Sequence, residues 1–236
     1  MKKIGIIGAM EEEVAKLKEN MQIQETSVIA GMEFCQGICE GQNVVIVRSG
    51  IGKVNAALAT QKLIDTYHPD FIISSGCAGG LSQLLNVGDV VVSEKVRYHD
   101  VFCGEGNELG QVQDMPAEFE TNDALINLAI ACNQYIDVNI VCGKIASGDW
   151  LVTGDKVQDI IDVVPNAIAV DMESGAIAQV CHINNVKFVA FRVISDVPGK
   201  KDVDNLQQYA DFWARLADNS FTVTKTFVNK LKTEWR

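Results

Sequence analysis

The chain has 236 residues, 47% of them hydrophobic and 22% charged, and carries a formal net charge of −11. That acidity argues against nucleic-acid backbones and anionic membranes as partners, since both are held by basic patches. The apolar content suffices for a well-buried core. No stretch approaches the roughly 20 apolar residues of a membrane helix. The short apolar run at the start ends in Glu11-Glu12-Glu13, unlike a secretion signal.

In chain order, Lys3–Ile7 reads as a strand covered on both faces, because its apolar run is nearly continuous. Gly8-Ala9-Met10 turns the chain into a helix from Glu11 to Leu17. Met32–Cys39 and Val44–Arg48 are strands joined by the hairpin signal Gly41-Gln42-Asn43. A helix runs from about Val54 to Tyr67 and is stopped by Pro69. Phe71–Ser75 is a buried strand entering the glycine-rich Gly76-Cys77-Ala78-Gly79-Gly80, and Asp89–Ser93 continues the sheet. Residues 100–118 read as a long surface loop. Then follow a helix from Asn122 to Tyr135, a strand Val141–Ala146, and a helix starting at Asp155. Asn166–Val170 is a short strand, Ser174–Cys181 a small-residue helix, and Phe188–Ile194 another strand. One long amphipathic helix is predicted from Leu206 to Leu231. No linker or repeat divides the chain. The expectation is one α/β domain over residues 1–236: three layers, α/β/α, around a central twisted mixed sheet that is mostly parallel.

Seven cysteines and three histidines are scattered without ligand spacing, so no metal site is expected; an odd cysteine count without a secretion signal points to reduced thiols in the cytoplasm. The glycine-rich Gly76–Gly80 lacks the dinucleotide fingerprint, and no phosphate loop occurs. Cys77 has no neighbouring histidine in sequence and reads as a small wall residue rather than a nucleophile. Acids stand out instead. Glu13 follows the first strand, Glu173 follows the Ala167–Val170 strand, and Asp196 follows the Phe188–Ile194 strand. Parallel strands deliver their carboxyl ends to one rim, where α/β sheets bind ligands, so the three could converge on a cleft. A single acid at such a junction commonly just complements the helix dipole. Strand alternation sets Asp171 opposite Met172 and gives it a structural role.

Six segments in order carry a family likeness: Gly5-Ile6-Ile7-Gly8-Ala9-Met10-Glu11-Glu12-Glu13, Ser49-Gly50-Ile51-Gly52-Lys53-Val54-Asn55-Ala56-Ala57, Arg97-Tyr98-His99-Asp100, Ser147-Gly148-Asp149, Val170-Asp171-Met172-Glu173 and Ile194-Ser195-Asp196. Over essentially its whole length the chain resembles the bacterial 5′-methylthioadenosine/S-adenosylhomocysteine nucleosidases of the purine nucleoside phosphorylase superfamily. The resemblance implies a nucleoside phosphorylase-like fold and hydrolysis of the N-glycosidic bond of a 5′-substituted adenosine, with no cofactor. It implies that Asp196 protonates the leaving adenine at N7 and that Glu13 orients and deprotonates water. Glu173 and Met172 would line the ribose, and Arg192 would organise the acids. Leu151 and Val152 would hold the adenine, Ser195 would position Asp196, and Cys77, Ala78 and Gly79 would form a wall. Ala9, Met10, Ile51, Leu206 and Phe102 complete the substrate-binding set that the resemblance implies. It also implies a homodimer whose 101–108 loop reaches the neighbouring site.

Three positions depart from the family pattern: Cys77 where serine is common, Leu206 near a usual phenylalanine, and the polar Glu105 and Asn107 in the 101–108 loop. The last leaves the 5′ substituent open, including an aminodeoxyfutalosine-like nucleoside. Two further readings remain: a phosphorylase, disfavoured because Glu11-Glu12-Glu13 would repel phosphate, and a non-catalytic nucleoside binder.

Overall fold

The computed structural model describes residues 2–198, 200, 204–215 and 218–234. Strand β1 (Lys3–Gly8) lies in the middle of the sheet, and all of it beyond Lys3 is buried, as its apolar run requires. It is flanked in parallel by β4 (Gln42–Arg48) and β5 (Phe71–Gly80). On the outer side, β3 (Met32–Cys39) pairs antiparallel with β4, and β2 (Gln22–Ile29) pairs antiparallel with β3. The sequence pattern predicts no strand at β2. That strand is exposed along nearly all its length, so no alternation of apolar and polar residues marks it.

β5 is the hub. Along its length it pairs in parallel with β10 (Lys187–Asp196), while its terminal Gly79 and Gly80 pair antiparallel with β9 (Ala167–Asp171). From β10 the sheet continues through β6 (Val90–Tyr98) and β8 (Ile140–Ser147) back to β9, so these strands close a ring on β5. The two-residue β7 (Phe119–Glu120) adds to β6. The sheet is mixed as expected, but parallel pairing predominates less than the sequence suggested: the β10–β6 and β5–β9 pairings that close the ring are antiparallel.

Helices cover both faces. On one, α1 (Glu11–Glu19), α3 (Asp123–Ala131) and α7 (Asp218–Glu234) surround a core with Phe71, Phe191 and Phe227. On the other, α2 (Lys53–Tyr67) and α5 (Ser174–Ile183) enclose Phe34, Ile72 and Ile194. α4 (Val157–Val163) shields β9 from outside through Ile160 and Val164. The single long C-terminal helix expected from sequence is instead α6 (Asn205–Arg215) followed by α7, and the junction at 216–217 lies outside the described residues. Residues 100–118 have no regular structure but are tied down. Arg97 donates from Nε to the Leu109 carbonyl at 3.1 Å and pairs with Glu108 at 3.0 Å.

Candidate active site

Six strands end on one cavity. Ala9, Met10 and Glu13 come from the β1–α1 junction and Ile51 from the turn after β4. Cys77, Ala78 and Gly79 come from β5, and Trp150, Leu151 and Val152 from the loop after β8. Val170 to Glu173 come from the end of β9, Ser195 and Asp196 from the end of β10, and Tyr209 from α6. Glu13, Glu173 and Asp196, more than 180 residues apart at the extremes, are thus brought together, each nearly buried.

Glu13 sits in the first turn of α1, where its carboxylate caps the free backbone donors of its own turn. Oε2 accepts from the amides of Ala9 at 2.7 Å and Met10 at 3.0 Å, and Oε1 accepts from the Cys77 amide at 3.0 Å. Burial raises its pKa, against the pull of Arg192 and these three amides. The close approach is possible because β5 carries no side chain at Gly76. A Cβ there would lie 2.7 Å from Glu13 Oε1 and 3.0 Å from Arg192 Nη1. Both atoms are buried and held, so Gly76→Ala is expected to cost about 1–3 kcal/mol of stability, measured by urea denaturation.

Arg192, on β10, donates from Nε to Asp171 Oδ2 at 2.5 Å and from Nη2 to Ser74 Oγ at 2.7 Å. Burial works against its charge, but Asp171, Glu173 and Glu13 outweigh it and hold its pKa above the ordinary value. Arg192 lies behind the cavity wall rather than on it, so its positive charge is directed at the acids. Asp171 also accepts from the Ser174 amide and hydroxyl, anchoring the first turn of α5. It holds Arg192, as a structural role requires, while also lining the cavity.

Glu173 precedes α5 and accepts the Gly52 amide at 2.9 Å. Burial, reinforced by the charge of Asp171 and opposed by Arg192, raises its pKa to about 7. Asp196 Oδ1 accepts from Ser195 Oγ at 2.7 Å. Burial raises its pKa, and the hydrogen bonds of Ser195 and Asn205 oppose this. Burial also pushes the Cys77 thiol well up, so it is a protonated wall group rather than a thiolate.

Besides Arg192, two members of the expected set, Leu206 and Phe102, stand outside the cavity wall of this chain. Leu206 is 53% exposed, because α6 turns the face carrying Tyr209 and the buried Phe212 inward. Phe102 is 65% exposed on the 100–118 loop. Two aromatic wall residues were missed, Trp150 and Tyr209. Trp150 is braced edge-on by His99, with ring centroids 5.4 Å apart. Tyr209 places its hydroxyl 4.0 Å from Met10 Sδ. A helical aromatic reads as core in sequence, but Asn205, Gln208 and Tyr209 share one α6 face with Phe212 at i, i+3, i+4 and i+7, and that pattern was available.

Chemically, the cavity offers proton donors or acceptors from separate elements, an apolar slot of Ala78, Leu151, Val152 and Val170, and, among the described residues, no lysine or arginine on its lining. The phosphorylase superfamily model matches residues 3–229. A 5′-methylthioadenosine/S-adenosylhomocysteine nucleosidase of Bacillus cereus is 44% identical over 224 residues, 94% of this chain and 96% of that protein. The solved nucleosidase of the same description from Colwellia psychrerythraea, in complex with adenine, superposes with a TM-score of 0.91 at 40% identity, covering 98% of this chain and 96% of that one. The Neisseria meningitidis nucleosidase in complex with methylthio-immucillin-A gives 0.91 at 35% identity, covering 98% of this chain and 100% of that one. With a fold and a sequence alike over nearly their full length, the chain belongs to the 5′-methylthioadenosine/S-adenosylhomocysteine nucleosidase family of the phosphorylase superfamily.

Proposed function

We propose that the protein hydrolyses the N-glycosidic bond of 5′-substituted adenosines, methylthioadenosine and S-adenosylhomocysteine foremost, releasing adenine and the substituted ribose. The observation that carries this reading is the convergence of three buried carboxyl groups with raised pKa on a cavity with no basic lining residue among the described residues. Breaking the bond builds positive charge on the ribose and negative charge on the leaving base. Carboxylates beside the sugar stabilise the first, and a protonated acid beside the base neutralises the second. Asp196, whose burial favours the protonated form, serves as the acid that protonates adenine at N7. Glu13 is the base for water: three amides orient it, and Arg192 draws it toward the ionised form. Glu173 accepts from the ribose hydroxyls, with Met172 beside it. The apolar slot takes the purine.

Water rather than phosphate is the nucleophile, because a phosphate dianion next to Glu13 would meet acids and, among the described residues, no cation on the cavity lining. The test is chromatography of adenine released from methylthioadenosine, S-adenosylhomocysteine and 5′-deoxyadenosine, with and without phosphate. Release at equal rates in both conditions is expected; a strict phosphate requirement overturns the reading.

The reading extends to a homodimer acting in cytoplasmic methionine salvage. Ile51, Val54, Leu58, Phe102 and Leu151 expose apolar surface. This surface surrounds the Lys53–Asp100–Asp149 contacts, and a second copy would cover it. Among the described residues no helix is long and apolar enough to cross a membrane.

A further inference from the structure

Helix α6 touches the site at three points on one face. Asn205 Nδ2 donates to Asp196 Oδ2 at 3.4 Å, the Gln208 Oε1 accepts the Val197 amide at 3.0 Å, and Tyr209 lines the cavity against Met10. The backbone immediately after Asp196 and the free oxygen of its carboxyl are therefore held by the same helix turn. The other oxygen, Oδ1, belongs to Ser195.

Ser195 has one hydroxyl proton and two acceptors within reach, Asp196 Oδ1 at 2.7 Å and the Ala78 carbonyl at 3.2 Å. It can turn to the carbonyl when Asp196 is protonated and back to Asp196 when the carboxylate forms. Asn205 has no such freedom with respect to charge. An amide N–H always donates, and it favours the carboxylate over the neutral acid.

We propose that Asn205 is a positioning residue for the general acid: its amide fixes Asp196 Oδ2 and stabilises the carboxylate left behind when the proton passes to the leaving base. This rests on the reading of Asp196 as that acid. The balance is simple. The proton moves from the Asp196 carboxyl to the base nitrogen as the bond between base and sugar breaks, its electron pair staying with the base. Asn205 exchanges no atom and answers the new negative charge on Asp196. Without it, Asp196 becomes a weaker acid.

Among the described residues, the other titratable groups on the cavity lining are Tyr209 of α6, Cys77 of β5, Glu13 of α1, Asp171 at the end of β9 and Glu173 after it. All are retained when only position 205 is changed, so a pH shift isolates the amide. The experiment is the pH profile of kcat/KM for methylthioadenosine hydrolysis by the parent, Asn205→Leu and Asn205→Asp, with Asp196→Asn as a control.

A general acid must be protonated, so activity falls as pH rises through its pKa. Losing the donor raises that pKa. The descending limb should then move to higher pH by about half a unit to one unit in Asn205→Leu, and at least as far in Asn205→Asp, with KM nearly unchanged. Asn205→Gln, which keeps the amide, should return the limb toward its parental position. Lower activity at every pH with the limb unmoved in both the Leu and Asp variants would overturn the proposal and leave the reading of Asp196 intact. An active Asp196→Asn control would instead overturn the reading of Asp196 itself.

Discussion

Asp196→Asn is expected to lower kcat by about 10²–10⁴-fold, the usual worth of a positioned acid, while methylthioadenosine still binds within about tenfold of the parent, the worth of one net hydrogen bond. The amide preserves the shape of the side chain and its acceptor for Ser195 Oγ, so the 2.7 Å contact and the burial survive. What it lacks is a proton to give. Glu13→Gln removes the proposed base, and the Ala9, Met10 and Cys77 amides lose a charged acceptor. Its turnover should fall comparably. The double variant should be little worse than the poorer single one, because the two groups act in one event. Single-turnover rates and equilibrium binding of methylthioadenosine separate the two effects. Retention of a tenth or more of parental turnover in Asp196→Asn would remove Asp196 from the mechanism.

Glu173→Gln should make the protein more stable and less active. The pKa of Glu173 is about 7 in the folded chain against an ordinary 4.5. A carboxyl with a raised folded pKa favours folding least where it is ionised. Below about pH 4.5 the group is neutral in both states and costs nothing. Stability then falls as pH rises toward 7, because the unfolded chain ionises first, and above 7 the full cost remains. At 1.36 kcal/mol per unit that cost is on the order of 3 kcal/mol. Gln removes it and can still accept the Gly52 amide. Thermal denaturation at pH 8 should therefore show a higher Tm for the variant, with the gap narrowing by pH 5. Equal melting at both pH values would mean that Arg192 compensates Glu173 fully.

The candidate site was legible where strand ends carry it. Glu13, Glu173 and Asp196 each follow an apolar run, and the carboxyl-end rule placed them on a common rim that the structure indeed forms. Asp171 was harder. Alternation separates it from Met172 but says nothing of Arg192, a partner 21 residues away on another strand. Tyr209 and Trp150 were hidden for a different reason. Their chemistry depends on which way α6 and the loop after β8 face, which is set by tertiary packing of Phe212 and His99. The antiparallel closure of the ring was equally silent, since β6 and β10 are buried on both faces and look alike in either orientation.

The ring of strands also dictates an order of assembly. β10 must pair with both β5 and β6, strands that lie about 90 or more residues earlier in the chain. The cavity draws on residues from Ala9 to Tyr209. Such long loop closures are entropically late and slow events in folding. A partly made chain can therefore hold its first helices and strands, with Glu13 in place, and still lack the Asp196 side of the cavity. Activity emerges only with the last strand, so the capacity to cleave nucleosides is a property of the finished fold alone.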